Sequence, residues 1–325
     1  MKIVFYGTPV FAIASLEKLA EAGYEIAAVV TAPDKPSGRG LKMQCSPVKQ
    51  WAVDRSLLVL QPEKLSDPEF LESLRRIGPD VQVVVAFRYM PRSVWSLAKF
   101  GTFNLHASLL PQYRGAAPIN WAIINGETTT GLTTFFIDEH IDTGKILFSS
   151  KVEIGENESA GELHDRLMVI GSDLVIKTVS GIQDGSITPI DQLGALPVHG
   201  AVKGAPKLSK ETCRIDWSES VKNIHNHIRG LSPYPAAFTQ IQFNDSKAFV
   251  AKIIKVRPIY TNHEFLPGTI FTEGKKILTI STVDGFVEVL ELQPEGKRSM
   301  NIVSFLNGIQ LQTPTVAGLS AGKCL

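Results

Sequence analysis

The chain has 325 residues, of which 44% are hydrophobic and 20% charged, a composition typical of a globular protein long enough for two domains. It has no apolar run of the roughly 18 residues that a membrane span requires, and it begins directly with a strand-like segment. We therefore expect no membrane partner, no secretory signal and a cytoplasmic location. Three widely spaced cysteines, Cys45, Cys213 and Cys324, lack metal-ligand spacing and predict reduced thiols without a metal site.

Charge is distributed unevenly along the chain. Residues 1–200 carry 18 Lys and Arg against 22 Asp and Glu, a balance of −4, whereas residues 201–325 carry 15 against 10, a balance of +5. Such an asymmetry either arises by chance or marks a C-terminal module that binds a polyanion. Charge alone leaves both interpretations open.

Strand-like and helix-like segments alternate through the first part of the chain. Apolar runs predict strands at residues 2–7, 25–30, 57–60, 81–87 and 101–107. Helices are predicted between them: one after the cap-then-proline pair Thr8-Pro9, one after Ser46-Pro47, and others over 67–77 and 117–126. This alternation is typical of βαβ units, and it predicts a largely parallel sheet that is covered on both faces.

The pattern changes towards the C-terminus. Residues 129–138 and 144–154 predict a strand pair, and a helix is expected over roughly 158–182. Short β-rich runs broken by Asn, Asp and Gly then predict a small antiparallel barrel or sandwich, at residues 236–243, 247–256, 268–274, 275–282 and 285–292. We expect a catalytic domain over 1–189, a linker rich in Gly, Ala and Pro over 190–207, and a second domain over 208–325.

The residues that carry chemistry lie in 104–118 and in Asp142-Thr143-Gly144. Asn104 and His106 are two residues apart, so on a strand they lie on one face. An amide that stabilises an oxyanion, an imidazole that moves a proton and the carboxylate of Asp142 form a set suited to acyl transfer. Because no nucleophilic Ser or Cys motif accompanies them, we expect direct transfer between two bound substrates.

These residues fall at or just after predicted strand ends, as do Phe87 and Asp138, and we expect them to meet at one edge of the sheet. Each alone has a purely structural explanation: a strand-end cap, a core histidine or a turn carboxylate. Together they favour a site.

The first strand-to-helix turn contains only Gly7 instead of a GxGxxG fingerprint, so we expect no NAD.

Two loops are candidates for ligand contact. Ser108–Pro111 is a short apolar loop that either lines a flat ligand or simply packs, and Arg114 beyond it either binds an anion or is solvated. Residues 31–49 form a long loop whose cations exceed its single acid, Asp34. Structureless loops of that length are usually functional or disordered, and Arg39 between two glycines favours contact with phosphate or nucleic acid.

These motifs together resemble a known family. The N-x-H of 104–106, SLLPQYRGAAP and the DTG of 142–144 are similar to the signature of the folate-dependent formyltransferases. PDKPSGRG, KLSKETCRIDW and LQPEGKR resemble the tRNA-directed members of that family, the methionyl-tRNA formyltransferases. The resemblance implies a Rossmann-like N-terminal domain and an OB-like C-terminal barrel that faces tRNA.

The resemblance also implies a reaction, in which a formyl group moves from 10-formyltetrahydrofolate to the α-amine of methionine on initiator tRNA. No metal and no NAD are implied, and we expect a monomer. Asn104, His106 and Asp142 take the catalytic roles that their chemistry suggests.

The resemblance further assigns residues to two binding sets. The folate-binding set is Phe87, Arg88, Ser108, Leu109, Leu110, Pro111 and Asp138. The tRNA-binding set is Lys35, Arg39, Lys42 and Lys207. One departure stands out, because Arg88 occupies a position close to the pterin pocket where the family commonly has glycine.

Several alternatives remain. The acceptor could be an amino sugar nucleotide or another small amine, although the 31–49 loop favours tRNA. A glycinamide ribonucleotide enzyme would resemble the N-terminal half alone, so residues 208–325 argue against it. A non-catalytic nucleic-acid-binding protein would need no Asn104, His106 and Asp142 set, and a folate hydrolase would release formate without an amine.

Overall fold

The computed structural model describes residues 1–37, 42–192, 201–243, 247–309 and 322–324, and Arg39 lies outside them. The chain divides into two compact units. The first comprises Met1–Pro118, Thr129–Glu153 and His164–Pro206, and the second comprises Ile119–Thr128, Ile154–Leu163 and Lys207–Leu325. Two short segments from the first half of the chain therefore belong to the second unit.

The first unit alternates strands and helices. The elements up to residue 206 are β1 (Lys2–Gly7), α1 (Phe11–Glu21), β2 (Glu25–Val30), β3 (Lys35–Ser37), β4 (Lys42–Gln44), α2 (Pro47–Val53), β5 (Val59–Leu60), α3 (Pro68–Ile77), β6 (Val81–Val85), α4 (Arg92–Trp95), β7 (Thr102–His106), β8 (Arg114–Gly115), α5 (Pro118–Ile124), β9 (Thr129–Phe136), β10 (Ile146–Glu153), α6 (Ala160–Asp184) and β11 (Gly204–Ala205). All of α5 after its first residue, and the first turn of α6, belong to the second unit.

Seven of these strands form one sheet in the order β10-β9-β7-β6-β1-β2-β5. The five strands from β7 to β5 are parallel, whereas β9 is antiparallel to β7 and β10 is antiparallel to β9. Every residue of β6 is buried, as are five of the six residues of β1, because the centre of a parallel sheet is covered on both faces. The predicted Rossmann-like α/β fold is confirmed.

A side-chain cap marks the start of α2 but not that of α1. Ser46 caps α2 by accepting a hydrogen bond from the Lys49 N–H at 3.0 Å, as its cap-then-proline pair predicts. The corresponding prediction for Thr8-Pro9 is wrong. The Pro9 carbonyl accepts a hydrogen bond from the Ala12 N–H, so the chain makes a turn there first and α1 begins two residues later, without a side-chain cap.

The long loop over 31–49 is not structureless. Lys35–Ser37 and Lys42–Gln44 pair as a small antiparallel hairpin. At its base, the Asp34 carboxylate accepts hydrogen bonds from Gln61 Nε2 at 2.8 Å and Lys49 Nζ at 2.6 Å. These two contacts, with Gln61 first, lower the pKa of the Asp34 carboxyl. Sequence periodicity missed the hairpin because each strand has only three residues.

The second unit is built around a barrel. Its elements are α7 (Val221–Leu231), β12 (Ala237–Phe243), β13 (Phe249–Tyr260), β14 (Thr269–Glu273), β15 (Ile277–Ser281), β16 (Gly285–Pro294), β17 (Met300–Asn301), α8 (Ile302–Asn307) and β18 (Gly322–Cys324). The antiparallel order β13-β12-β18-β14-β15-β16 closes through a β13–β16 pairing, which confirms the predicted OB-like barrel. Helix α7 packs its apolar face into the same core.

None of the helices among the described residues is long and apolar enough to cross a membrane. The same part of the chain contains no group of three or more His, Cys, Asp and Glu side chains arranged to hold a metal ion.

The start of α7 provides a test of the second unit. Ser220 caps this helix by accepting a hydrogen bond from the Asn223 N–H at 3.2 Å. We expect Ser220→Ala to lower the free energy of unfolding by about 1 kcal/mol and Ser220→Gly by only a few tenths. Urea denaturation measures both, with Ser218→Ala as the control, since the Ser218 hydroxyl bonds to Asp216, before the helix. Equal losses in all three variants would contradict the capping role.

Candidate active site

Strand β7 presents the predicted amide and imidazole from the middle of the sheet. Asn104 lies between Val84 of β6 and Phe135 of β9, and His106 is the last residue of the strand, opposite Thr133. Because successive side chains of a strand alternate, Asn104 and His106 share one face. Asn104 is half-buried, whereas the His106 side chain is only 6% exposed.

The carboxylate reaches this face by a route that the sequence did not predict. Since β9 is antiparallel to β7, its carboxyl end lies beside Thr102, whose carbonyl accepts a hydrogen bond from the Ile137 N–H at 2.8 Å. The expectation that all strand ends meet at one edge is therefore wrong. Residues 119–128, which connect β7 to β9 through α5, belong to the second unit. The following loop returns Asp142 to His106.

A backbone carbonyl fixes the His106 ring. His106 Nε2 lies 2.8 Å from the Tyr113 carbonyl oxygen, which can only accept a hydrogen bond. Nε2 therefore carries a proton in both the neutral and the charged imidazole, and Nδ1 is the atom that gains and loses one. Phe135 packs edge-on against the ring, with centroids 6.5 Å apart.

Asp142 faces the other ring nitrogen, Nδ1. Its Oδ2 lies 3.8 Å from His106 Nδ1, beyond hydrogen-bond distance but close enough to stabilise a charged imidazole. The same oxygen accepts a hydrogen bond from the Gly115 N–H at 3.0 Å. Asp142 has a φ of 57°, a left-handed conformation that Asp tolerates better than most residues. Two separate parts of the chain, 104–106 and 142, thus meet as the motifs predict.

The loop Ser108–Pro111 uses its polar groups inside the protein. Thr133 Oγ1 donates to the Ser108 carbonyl at 2.7 Å and accepts from the Leu110 N–H at 3.1 Å. The Ser108 hydroxyl, which is fully buried, donates to the Gln112 carbonyl at 2.6 Å. Leu110 forms a small buried cluster with Phe135 and Ile146. The loop is therefore a fixed support under His106, and any ligand contact it makes is mainly apolar.

Residues 137–145, the acidic loop between β9 and β10, are also held by hydrogen bonds within the loop. Asp138 Oδ1 accepts hydrogen bonds from the His140 N–H at 3.0 Å and the Thr143 hydroxyl at 2.7 Å. The neighbouring Glu139 forms an ion pair with Arg92 at 2.8 Å. Asp138, predicted to bind folate, thus shapes the turn that carries Asp142.

A buried glutamine beside the site, Gln192, was not predicted from the sequence. Gln192 is 4% exposed, and its side-chain N–H groups donate to the carbonyls of Asp142 and Gly144 at 3.0 and 2.8 Å. Arg114, left open above as an anion ligand or a solvated charge, donates to the Gln192 carbonyl oxygen from Nε at 3.1 Å and from Nη2 at 2.5 Å. Gln192 lies in the predicted linker, where no periodicity or motif marked it.

The carboxyl end of β6 shows how Arg88 is accommodated. The Arg88 guanidinium donates to the carbonyls of Pro62 and Glu63, the latter at 2.9 Å, and lies 5.7 Å from the Phe87 ring centroid. Phe87 packs edge-on against Tyr6 at 5.5 Å, and burial raises the pKa of the Tyr6 hydroxyl. Arg88 is therefore held by the chain that follows β5.

The predicted tRNA-binding cations lie apart from the His106 and Asp142 pair in sequence. Lys35 is exposed on β3, and Lys42 begins β4. Lys207 is exposed at the start of the longest segment of the second unit. Arg39 lies outside the described residues.

Comparison with known proteins identifies the family. The family described as Formyl transferase matches residues 1–179, and its C-terminal domain matches residues 207–310. The chain belongs to the formyl transferase family. It is 49% identical over 311 residues to the methionyl-tRNA formyltransferase of Bacteroides thetaiotaomicron, an alignment that covers 96% of each chain. The resemblance seen in the motifs is confirmed.

Solved structures share the fold of this formyltransferase at lower identity. WlaRD, a sugar 3N-formyl transferase crystallised in the presence of dTDP and 5-N-formyl-THF, is 22% identical with a TM-score of 0.63, covering 92% of this chain and 99% of its own. An N-formyltransferase from Helicobacter canadensis in complex with folinic acid and dTDP-3-aminofucose is 22% identical with a TM-score of 0.62, covering 89% and 98%. These likenesses support the architecture.

Gly144 tests how tightly the loop of this formyltransferase is fixed. A Cβ at Gly144 would lie 1.6 Å from the Phe136 carbonyl oxygen, so Gly144→Ala must displace the loop. We expect a loss of about 1–3 kcal/mol in the free energy of unfolding, measured by urea denaturation. Gly204→Ala is the matched control, since a Cβ there meets nothing within 4 Å. Equal unfolding midpoints for the two variants would contradict the close approach.

Proposed function

We propose that this formyltransferase transfers a formyl group from 10-formyltetrahydrofolate to the α-amine of methionine esterified to initiator tRNA. The observation that carries the proposal is the His106 ring, with Nε2 held by the Tyr113 carbonyl and Nδ1 facing Asp142. The 49% identity to a methionyl-tRNA formyltransferase over nearly the whole chain supports the choice of acceptor.

The first half of the reaction needs a base and an oxyanion partner. The neutral methionyl amine attacks the formyl carbon, a new C–N bond forms, and the carbonyl oxygen becomes negative. His106 Nδ1 takes the proton that the attacking nitrogen loses. The Asn104 amide N–H, on the same face of β7, stabilises the oxyanion together with the charged imidazole.

The second half returns that proton. The tetrahedral intermediate collapses as its bond to the folate nitrogen breaks, and the charged His106 delivers its Nδ1 proton to the departing nitrogen. Asp142, 3.8 Å from Nδ1, stabilises the charged imidazole between the two steps. The products are a formylated amine and tetrahydrofolate, so atoms and charge balance without a metal or a redox cofactor.

The folate-binding set remains part of this proposal. Phe87 lies just after β6 and packs on Tyr6. The loop Ser108–Pro111 offers a rigid apolar wall, since the Ser108 hydroxyl and the Leu110 N–H bond internally. Arg88 bonds to the chain after β5 and Asp138 bonds within its own loop, which supports a role in shaping the pocket rather than in direct contact.

Three features support contact with tRNA. The hairpin β3–β4 carries Lys35 and Lys42, and the Lys49–Asp34 ion pair of 2.6 Å anchors its base. Lys207 is exposed. Residues 201–325 carry a balance of +5, which suits a barrel that binds a polyanion. Arg39 completes the proposed tRNA-binding set. We also propose that the enzyme acts as a monomer in the cytoplasm.

The direct test is transfer of radiolabelled formyl from 10-formyltetrahydrofolate to charged initiator methionyl-tRNA. We expect label in the tRNA fraction with the wild type, with kcat lowered about 10²–10³-fold by Asn104→Ala and about 10²–10⁴-fold by His106→Ala. His164→Ala is the matched control, because His164 also lies beside a carboxylate, Asp165 at 2.9 Å, but on helix α6. Its kcat should equal that of the wild type.

Three outcomes would contradict the proposal. Label released as formate without an amine would indicate a hydrolase. Label on a dTDP-linked amino sugar, with none on tRNA, would indicate the alternative acceptor. No turnover of the folate, with tRNA binding unchanged after Asn104, His106 and Asp142 are all replaced, would indicate a non-catalytic binding protein.

A further inference from the structure

We propose that Gln192 is a positioning residue for formyl transfer, because it fixes the loop that holds Asp142 beside His106. The inference rests on the proposed function in one respect, since it takes Asp142 as the partner of His106 during turnover. Gln192 lies in the segment between the sheet and the barrel, so this segment is part of the site's support.

The side chain of Gln192 is fully hydrogen-bonded. A glutamine amide has two N–H donors and a carbonyl oxygen with two acceptor positions. Gln192 uses all four: its N–H groups bond to the carbonyls of Asp142 and Gly144, and its oxygen accepts two bonds from Arg114. At 4% exposure, water does not replace these partners. A fully satisfied buried amide of this kind holds its neighbours in one arrangement.

Asp142 has a backbone conformation that needs support from its surroundings. Its φ of 57° is a left-handed backbone that persists when surrounding contacts favour it. Gln192 donates hydrogen bonds to the carbonyl of Asp142 and to that of Gly144, two residues later, and so holds the backbone of this turn at both residues. The Gly115 N–H holds the Asp142 carboxylate at 3.0 Å, so Gln192 fixes the backbone while Gly115 fixes the side chain.

Gln192 is itself anchored on two sides. Two residues earlier, Ile190 forms reciprocal backbone hydrogen bonds with Ile146, the first residue of β10, at 2.8 and 2.9 Å. On the other side, Arg114 belongs to β8, which pairs with β11. Gln192 therefore connects β10 and β8 to the turn at Asp142, whose carboxylate lies 3.8 Å from His106 Nδ1.

Two substitutions test the donors of Gln192. Gln192→Met removes all four bonds, whereas Gln192→Glu keeps an acceptor for Arg114 but offers no N–H to the two carbonyls at neutral pH. We expect both variants to lose about 10²-fold in kcat, the cost of a displacement of roughly 1 Å at a catalytic group. The KM values for the folate donor and for charged tRNA should stay within about twofold. A wild-type kcat in Gln192→Glu would overturn the inference even if Gln192→Met fails to fold.

A double-mutant cycle separates positioning from a general defect. If Gln192 acts through Asp142, Asp142→Ala with Gln192→Met should lose no more than about threefold beyond Asp142→Ala alone. Multiplied losses would show an independent effect and overturn the inference. A wild-type kcat in Asp142→Ala would overturn the proposed role of Asp142 itself. Loss in Asp142→Ala with a wild-type kcat in both Gln192 variants would overturn this inference alone.

Gln82 provides a matched control for loss of a buried amide. It is fully buried in β6 and donates to the Val94 carbonyl at 2.9 Å and the Thr102 hydroxyl at 3.1 Å, instead of to the carbonyls of Asp142 and Gly144. We expect Gln82→Met to lower the urea midpoint while kcat remains at the wild-type value in conditions where the variant is folded. A fall in kcat equal to that of Gln192→Met would show that any buried amide has this effect, which contradicts the inference.

Discussion

The hydrogen bond from His106 Nε2 to the Tyr113 carbonyl is the constraint on which the site depends. Because a carbonyl accepts only, this contact determines which ring nitrogen exchanges a proton, and it aims that nitrogen at Asp142. The Tyr113 backbone is in turn held by the Lys203 carbonyl, which accepts from its N–H at 2.7 Å. In the proposed mechanism, the atom that moves the proton is thus selected by the backbone of a loop rather than by another side chain.

His106 and Asp142 depend on support from distant segments of the chain. Thr133 of β9 holds the loop beneath His106, and the Gly115 N–H holds the Asp142 carboxylate. The segment after α6 contributes twice, through Gln192 on the acidic loop and through β11 on β8. Preorganisation of this kind favours catalysis, because groups that are already in place need not reorganise as charge develops.

Much of this arrangement was predictable, since it rests on local patterns. Apolar runs and helix periodicity predicted the large sheet and the barrel, and the strand spacing of Asn104 and His106 predicted a shared face. The antiparallel direction of β9 was not predictable, because it is set by its non-local pairing with β7, which local patterns do not encode. Gln192 was missed for a similar reason: its partners are some 50 to 80 residues away, and a single polar residue in an aperiodic stretch gives no local signal.

The most direct test of the account is the protonation state of the His106 ring in the free enzyme. Nitrogen-15 NMR of the histidine-labelled protein, with His106→Gln to assign the resonance among the seven histidines, distinguishes the two neutral tautomers. At high pH the account predicts a protonated Nε2 and an unprotonated Nδ1. A neutral ring protonated at Nδ1 would contradict it, because the atom facing Asp142 would then have no lone pair with which to accept the amine proton.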